Sequence, residues 1–335
     1  MLTRSSRHPD GSRCSRRALL TGVGATLAVV TAGCTGFLDD EETASGDPES
    51  HVPAETTVLA RLDVATIAAD GNDDVLEELA AVEPGHIDVA TTFEARTGLD
   101  PLEADELLLF DADAADTDDD TTGRNVIVDG DWAEADVVAS LEETTGLEYE
   151  RSEVDELYRP VDATEVDSDA PEPPFLGVLI DDRFVVGEEE GVRSSLDVRD
   201  GDGEPLAGTL RDAYDDARGE HLTVASEPSG PLVPAEYQAL ADGLNFEIFD
   251  EVQAVGRSYA AVENGIAIEL ALHVPTEADA AELESVTNGA IAALAGLDEE
   301  FADARDDVSL ERTGAVVELD YEGDADVVFA LLDEV

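Results

Sequence analysis

Lysine is absent from this sequence, and cysteine, methionine and aromatic residues are scarce. The chain of 335 residues has 18 basic side chains, all of them arginine, against 82 acidic ones. Only two cysteines are present, Cys14 and Cys34, so thiol chemistry and a disulfide framework are excluded from everything after Cys34. Phosphate-binding loops, dinucleotide-binding fingerprints, G-x-S-x-G elbows and H-E-x-x-H motifs are missing as well.

The net charge of −64 excludes whole classes of partner. A surface this acidic cannot neutralise phosphates, so we expect no nucleic acid partner. It is equally unsuited to docking on anionic lipid headgroups. Such acidity without lysine resembles the proteins of salt-in halophilic archaea, where molar salt shortens the Debye length to about 3 Å and carboxylates repel one another little.

The basic residues are concentrated at the start of the chain. Five of the 18 arginines lie in the first 17 residues, and residues 18–33 are small or apolar and uncharged. This pattern is typical of a secretory signal, and its apolar run is shorter than the about 20 residues of a membrane-spanning helix. Arg16 and Arg17 in "SRRALL" resemble the twin-arginine export signal. "TAGC" resembles a lipobox, which implies that Cys34 carries lipid once residues 1–33 are removed. A plain signal peptide cut elsewhere and an uncleaved anchor are the alternatives.

The remainder of the chain is predicted to have three segments. Residues 34–52 are polar and acidic and predict a flexible tether. Residues 53–230 and 231–335 predict two further units, separated by the proline-containing stretch "EPSGPLVPAE". The expected fold class is α+β, with two packed lobes, each a mainly antiparallel sheet with helices on one face.

Hydrophobic periodicity predicts the main elements of both lobes. "FLGVLIDDRFVVG" predicts a hairpin, and a second hairpin should turn at Asn264-Gly265. Residues 131–146 predict a helix with Asp131 as its cap and Gly146 at its end, and residues 276–297 predict another. Paired strands, an acid-capped helix and a further strand thus recur in both lobes. "VLARLDV" before the first helix also echoes "AVVELDY" before the last.

The order of these elements resembles an uncharacterised family of secreted and membrane-tethered domains. The resemblance rests on Val52-Pro53-Ala54 before the first strand and on the hairpin "GVLIDDRFVVG" before a helix, and it extends over most of residues 52–335. It implies no activity, because that family has none assigned that transfers to residues of this chain.

The sequence predicts no catalytic residue, no metal ligand and no cofactor. Four histidines follow the signal segment: His51, His86, His221 and His273. No two of them have the close spacing of paired metal ligands. We expect His273 to face solvent or the other layer of the fold. The acidic clusters at 116–120 and 200–204 offer oxygen ligands for calcium, but neither has EF-hand spacing, and solvated loops are the better interpretation.

The expected function is that of a lipid-anchored protein on the outer face of the cell membrane, acting without catalysis as a binding or envelope-assembly module. Its partner would be an envelope protein, or a small ligand bound between the lobes. The alternative is an extracellular hydrolase whose site is not visible in the sequence. A deep cleft lined by Trp, Tyr or Arg would favour ligand binding, whereas converging His and Asp would favour catalysis.

Overall fold

The computed structural model describes the chain between residues 47 and 323, with gaps. The described ranges are 47–70, 75–76, 79–80, 84–111, 125–152, 156–161, 172–180, 182–217, 219–233, 244–262, 265–296 and 305–323. All of them belong to one unit, Ser45–Val335. The export signal at Arg16 and Arg17, the lipidation site at Cys34, the acidic cluster at 116–120 and the last predicted helix lie outside these ranges.

Twelve strands within the described ranges form one antiparallel sheet. They are β1 Val58–Leu62, β2 Glu106–Asp111, β3 Asn125–Asp129, β4 Tyr149–Arg151, β5 Leu157–Pro160, β6 Phe175–Ile180, β7 Arg183–Gly187, β8 Leu222–Ser226, β9 Ala254–Val262, β10 Gly265–His273, β11 Val308–Thr313 and β12 Val316–Gly323. Their order across the sheet is β11-β12-β10-β9-β8-β1-β2-β3-β7-β6-β5-β4. β1 and β8 are therefore neighbours near the middle of the sheet.

Six α-helices with described bounds pack on the two faces of this sheet. They are α1 Val64–Asp70, α2 Pro84–Thr97, α3 Glu134–Thr145, α4 Glu189–Asp200, α5 Thr209–Asp216 and α6 Glu277–Leu294. Residues 75, 76, 79 and 80 are helical too. Of the helices the structure describes, none has both the length and the apolar character needed to cross a bilayer.

The first face of the sheet is covered by α1, α2, α3 and α6. Strand residues such as Leu107 and Phe184 form a buried cluster there with Val137 and Leu141 of α3. A second buried cluster on this face joins α6 to β9, β10 and β12. The two clusters share a face because Val255 of the second and Tyr259 of the first lie four residues apart on β9.

The second face is covered by α4 and α5. Leu108 and Val185, which alternate with first-face residues along their strands, are buried there against Leu196 of α4 and Tyr214 of α5. α5 lies over β8, β9 and β10. Beyond it, no described helix covers the second face of β12 and β11.

The predicted α+β class is confirmed. The two predicted lobes are not confirmed as separate bodies, because β8 of the first pairs with β9 of the second and the sheet continues across the boundary. The helices also lie on both faces, where the prediction placed them on one. Hydrophobic period identifies a helix and its apolar stripe, but it does not indicate which face of a sheet receives that stripe.

The strand order repeats on either side of the β1–β8 pair. One half runs β1-β2-β3 outward, followed by β7 and β6, and the other runs β8-β9-β10 outward, followed by β12 and β11. In both halves a first-face helix, α3 or α6, follows the third strand. β4 and β5 are additional to the first half. In this repeat β1 of the first half corresponds to β8 of the second. The sequence similarity between "VLARLDV" and "AVVELDY" had instead paired β1 with β12.

Helix ends follow the sequence in part. α6 begins after Thr276, whose Oγ1 accepts a hydrogen bond from the backbone N–H of Asp279 at 3.2 Å. α3 ends at Gly146, which takes the left-handed φ of 69°. The predicted cap at Asp131 is wrong: α3 begins after Ala133, with no side-chain cap. The backbone N–H of Trp132 donates to the carbonyl of Gly130 at 2.7 Å, and the Trp132 side chain packs against the first-face core between Asp131 and the start of the helix.

Candidate functional site

Charged side chains lie between the central strands and the helices of the second face. Arg61 on β1 contacts Glu106 on β2, and its Nη2 donates to Asp63 Oδ2 at 2.7 Å. Further along the sheet, Nε of Arg183 on β7 donates to Asp129 on β3 at 3.0 Å. Burial opposes the charge of Arg61, but Glu106, together with Tyr214 and Asp63, outweighs this effect and raises the pKa of the guanidinium. These charges have their counter-charges within the fold.

The segment Asp47–Ala54, which we call the strap, packs against the helices that cover these charges. It begins with one turn of 3₁₀ helix, in which Glu49 is 1% exposed. Tyr214 Oη on α5 donates to Glu49 Oε1 at 2.8 Å. The backbone N–H of Leu206 donates to the carbonyl of Val52 at 2.8 Å. The strap is thus an integral part of the second-face layer.

The tether predicted for residues 34–52 overlaps the strap at residues 47–52, where Glu49 and His51 are buried. Burial, and then the Glu49 carboxylate, raises the pKa of Tyr214, so its hydroxyl remains a donor. Burial, and then the charge of Arg183, lowers the pKa of His51. The hydrogen bonds around the strap are therefore structural: at pH 7 the His51 imidazole is neutral and the Tyr214 phenol is protonated.

A second group of polar residues lies where the second face has no described helix. Alternation along the strands places acidic side chains there on β10, β11 and β12, and the end of α5 adds two more. We call this surface the open acidic face; its residues are Asp212, Asp216, Glu269, Glu311, Glu318, Asp320 and Glu322. None of the second-face positions on β10, β11 or β12 is an arginine.

The carboxylates of the open acidic face are crowded. Burial, and then the charges of Asp216, Asp320 and Glu311, raises the pKa of Glu318. Ser309 Oγ donates to Asp320 at 2.9 Å, which relieves only part of this repulsion. The contrast with the Arg61 and Arg183 pairs is direct, because there each carboxylate meets a cation. Among the residues the structure describes, the open acidic face is thus a concentration of negative charge in which no second-face strand position of β10, β11 or β12 supplies a counter-charge.

His273 lies at the edge of this face, beneath the last turn of α5. Its Nε2 is 3.4 Å from Asp216 Oδ2, and the whole residue is 6% exposed. Nε2 has no hydrogen-bond partner among the described residues. Burial lowers the pKa of His273, although the nearby Asp216 and Asp212 oppose this. The sequence left two possible surroundings for His273, solvent or the other layer of the fold. The structure shows the second, because the buried side chain lies next to α5.

The other histidines and the acidic cluster at 200–204, for which the sequence predicts no catalytic or metal-binding role, lie apart from one another. His221 is buried, and its Nδ1 accepts a hydrogen bond from the backbone of Ala261 at 3.2 Å. His86 is in α2, and its side chain lies outside what the structure describes. In the cluster at 200–204, Asp200 accepts from Arg199 at 2.8 Å and Gly201 ends α4. Across the described ranges no three His, Cys, Asp or Glu side chains are placed to hold a metal ion.

Sequence reasoning missed the acidic residues of this face. Glu318, Asp320 and Glu322 alternate with apolar residues on β12, so their common face could have been predicted from a strand pattern. Asp216, by contrast, reaches the same face from α5 and from the other half of the chain. With 82 acidic residues in the sequence, the alternating acids are also hard to distinguish from ordinary solvated ones.

Comparison with known proteins gives a distant structural likeness. No protein-family model matches this sequence, and no curated protein matches it. The structure is similar to that of TP0453 in crystal form III, with 11% sequence identity, 87% of this chain and 100% of that chain covered, and a TM-score of 0.45. Crystal forms I and IV of TP0453 each show 10% identity, 87% and 98% coverage of the two chains, and TM-scores of 0.43 and 0.46. Likeness at this level carries no information about what this chain binds.

Proposed function

We propose that this chain is a lipid-anchored extracytoplasmic binding module, without catalysis, that docks a cationic envelope protein on its open acidic face. The export signal at Arg16 and Arg17 and the lipid on Cys34 would place it on the outer face of the cell membrane. The observation that carries the proposal is the crowding of carboxylates on the open acidic face, where none of the second-face strand positions of β10, β11 or β12 is an arginine. Its acidity also argues against nucleic acid as the partner.

Charge complementarity favours a cationic protein on this surface. Two buried or half-buried arginines on the second-face strand positions, Arg61 and Arg183, are paired with carboxylates of this same chain. The open acidic face has no such partner at its strand positions, so like charges remain close together there. A partner that supplies cations would remove this repulsion and gain ion pairs.

The open face is a better candidate than a site between lobes. β8 and β9 pair directly across the predicted boundary at residue 230, so the described strands form one continuous sheet there rather than two sheets facing each other across a gap. Edge strand β11 lies beside the acidic positions of β12, and Glu311 on it is exposed. A protein surface can therefore approach the acidic positions from the solvent side.

The test is site-specific photo-crosslinking in cells at native salt. A photoreactive residue in place of Glu311 should capture a specific protein, whereas one in place of Glu143, exposed on α3 of the first face, should not. The captured protein should then bind the purified chain, and Glu318→Gln with Asp320→Asn should weaken that binding. Equal capture from both positions would contradict the docking surface. Turnover of an ester, peptide or glycoside that is lost in a point variant would show an enzyme instead.

The anchor is tested separately. Cys34→Ser should release the protein from membranes, and replacing Arg16 and Arg17 together by lysine should block export. Membrane fractionation measures both the release of the Cys34→Ser protein and the export of the double arginine variant. Retention of the Cys34→Ser protein at the wild-type level would contradict the lipid anchor without bearing on the docking surface.

A further inference from the structure

The buried imidazole of His273 lies next to the carboxylate of Asp216, the last residue of α5. Nε2 of His273 and Oδ2 of Asp216 are 3.4 Å apart, and the imidazole is almost completely buried. Nε2 nevertheless has no hydrogen-bond partner among the described residues. A buried polar atom without a partner is costly, by about 1–3 kcal/mol, and calls for an explanation.

We propose that His273 and Asp216 together receive a guanidinium group, presented by an arginine side chain of the partner protein. This inference rests on the proposed function, because it names the contact by which the open acidic face would recognise its partner. It is narrower than that function: a cationic protein could dock on the face without using this pair.

The geometry suits a donor with several N–H groups. A neutral imidazole offers one ring nitrogen as an acceptor, and an ionised carboxylate offers two acceptor oxygens. Arginine presents five N–H donors in a rigid planar fork, so one group can serve both acceptors. Burial lowers the pKa of His273, which keeps its imidazole neutral and able to accept.

Asp216 provides the route of entry. Its side chain is 48% exposed, and it belongs to the last turn of α5, at the border of the open acidic face. Rotation of this half-exposed side chain would uncover Nε2 without any change in the sheet. The donor would then insert between the two acceptors and leave neither of them unpaired.

The surrounding charges favour a cation at this position. The C-terminus of a helix carries partial negative charge, which cations stabilise, and within its described residues α5 has no basic side chain in its last turn; Arg218, beyond the helix, lies outside the described ranges. Asp216 and Asp212 add full negative charges on the same helix, and Glu318 on β12 lies close enough to Asp216 for their charges to interact. A guanidinium would therefore relieve an unfavourable helix end and a crowded set of carboxylates at once.

Direct hydrogen bonds make such a contact effective in concentrated salt. In molar salt the Debye length is about 3 Å, so charges that merely face each other are screened. Charge-assisted N–H···O bonds are about 2.7–2.9 Å long and persist at that range. The buried side of the pair is also less accessible to salt ions than an open surface is.

The inference is tested by nuclear magnetic resonance on the purified full-length protein in 2 M KCl, with N-acetyl-arginine amide as the probe. The imidazole resonances of His273 should shift saturably, and its pKa should fall further, because the ligand binds only the neutral ring. Asp216→Asn should weaken binding about tenfold or more, as expected for the loss of a hydrogen bond to a charged group. Asp136→Asn on α3, an exposed site on the first face, removes the same charge and should leave binding unchanged.

N-acetyl-citrulline amide, which keeps the shape of the probe but is uncharged, should bind far more weakly. If His273 does not respond to the arginine probe, or if Asp136→Asn weakens binding as much as Asp216→Asn, the inference is wrong. A response to MgCl₂ in place of the arginine probe would also overturn it, in favour of a metal site. Crosslinking from Glu311 is independent of these results, so the proposed function can survive the failure of this inference.

Discussion

At the scale of single residues, Tyr214 connects the strap to the helices of the second face. Its hydroxyl donates to Glu49, a carboxylate that is 1% exposed, and Arg211 lies 5.5 Å from its ring. A carboxylate with so little access to water depends on donors from the protein. The Tyr214 hydroxyl is therefore more important for stability than a hydroxyl at the surface would be.

Tyr214→Phe should destabilise the protein by about 1–3 kcal/mol, because it removes a donor from a buried carboxylate while the ring and its packing remain. Thermal unfolding in 3 M KCl measures the effect. Tyr158→Phe is the matched control: that hydroxyl also donates to a carboxylate, Glu134, but both side chains are only partly buried and water can replace the bond. Equal losses in the two variants would show that the burial of Glu49 is unimportant.

Residue-level predictions succeeded where a local rule decides the outcome. Gly146 was predicted to end its helix because glycine takes a left-handed φ without strain, and it does so. The Asp131 cap failed because the packing of Trp132 is a tertiary effect. The environment of His273 was unpredictable for the same reason: strand alternation gave two possible surroundings, and only the position of α5 decides between them.

At the scale of elements, strands with strong turn signals were predicted closely. β6 and β7 form the expected hairpin, and β9 pairs with β10 with Val262 opposite Gly265. β11 was missed because it has only two apolar residues, Val308 and Leu310, and the rest of it faces solvent or the open acidic face. Its pairing with β12 comes from the sheet rather than from its own pattern.

The contact between α5 and β9 depends on Gly256. A Cβ added there would lie 2.2 Å from the carbonyl oxygen of Ala213 and 2.8 Å from Cβ of Ala217. Both of those atoms are on or next to α5, so the helix backbone would have to move away from the sheet. Glycine at this position therefore sets how closely α5, and with it Asp216, approaches the strands.

Gly256→Ala should lower the stability by about 1–3 kcal/mol through this overpacking. Thermal unfolding measures the loss of stability. Hydrogen exchange should show that the backbone amides of α5 lose the most protection. Gly230→Ala is the control, because a Cβ there meets nothing within 4 Å. If the two variants melt at the same temperature, the close approach of α5 to β9 is not a constraint on the fold.

At the scale of the whole molecule, the α+β class could be predicted from the sequence, but the continuous sheet could not. Periodicity finds strands one at a time, whereas the β1–β8 and β8–β9 pairings join segments far apart in the chain. The open acidic face could not be predicted from the sequence for a related reason. It is assembled from α5 and three strands of the second half, in a chain whose overall acidity conceals any local excess.

The net charge of −64 makes the stability of the whole molecule dependent on salt. The Debye length is about 10 Å at 0.1 M salt and about 3 Å at 1 M, so carboxylates that are screened in concentrated salt repel one another in dilute buffer. Net stability is only about 5–15 kcal/mol, and small repulsions summed over many pairs are enough to exceed it. The melting temperature, followed by circular dichroism, should therefore rise steeply between 0.1 M and 3 M KCl.

Mild acid should partly replace salt, and the direction follows from proton linkage. The raised pKa of Glu318 means that the folded protein takes up this proton before the unfolded chain does, so folding is favoured as the pH falls through that pKa. His51 and His273 act in the opposite direction, since their pKa values are lowered and their contribution is lost as the pH falls below about 6.5. Burial, and then the charge of Asp111, raises the pKa of Glu188 as well, and protonation reduces a net charge of −64, so at 0.1 M KCl the melting temperature should rise on acidification toward pH 5. At 3 M KCl, where repulsion is screened, the same acidification should leave it unchanged or lower it. A melting temperature independent of salt at pH 7 would refute the role of charge repulsion.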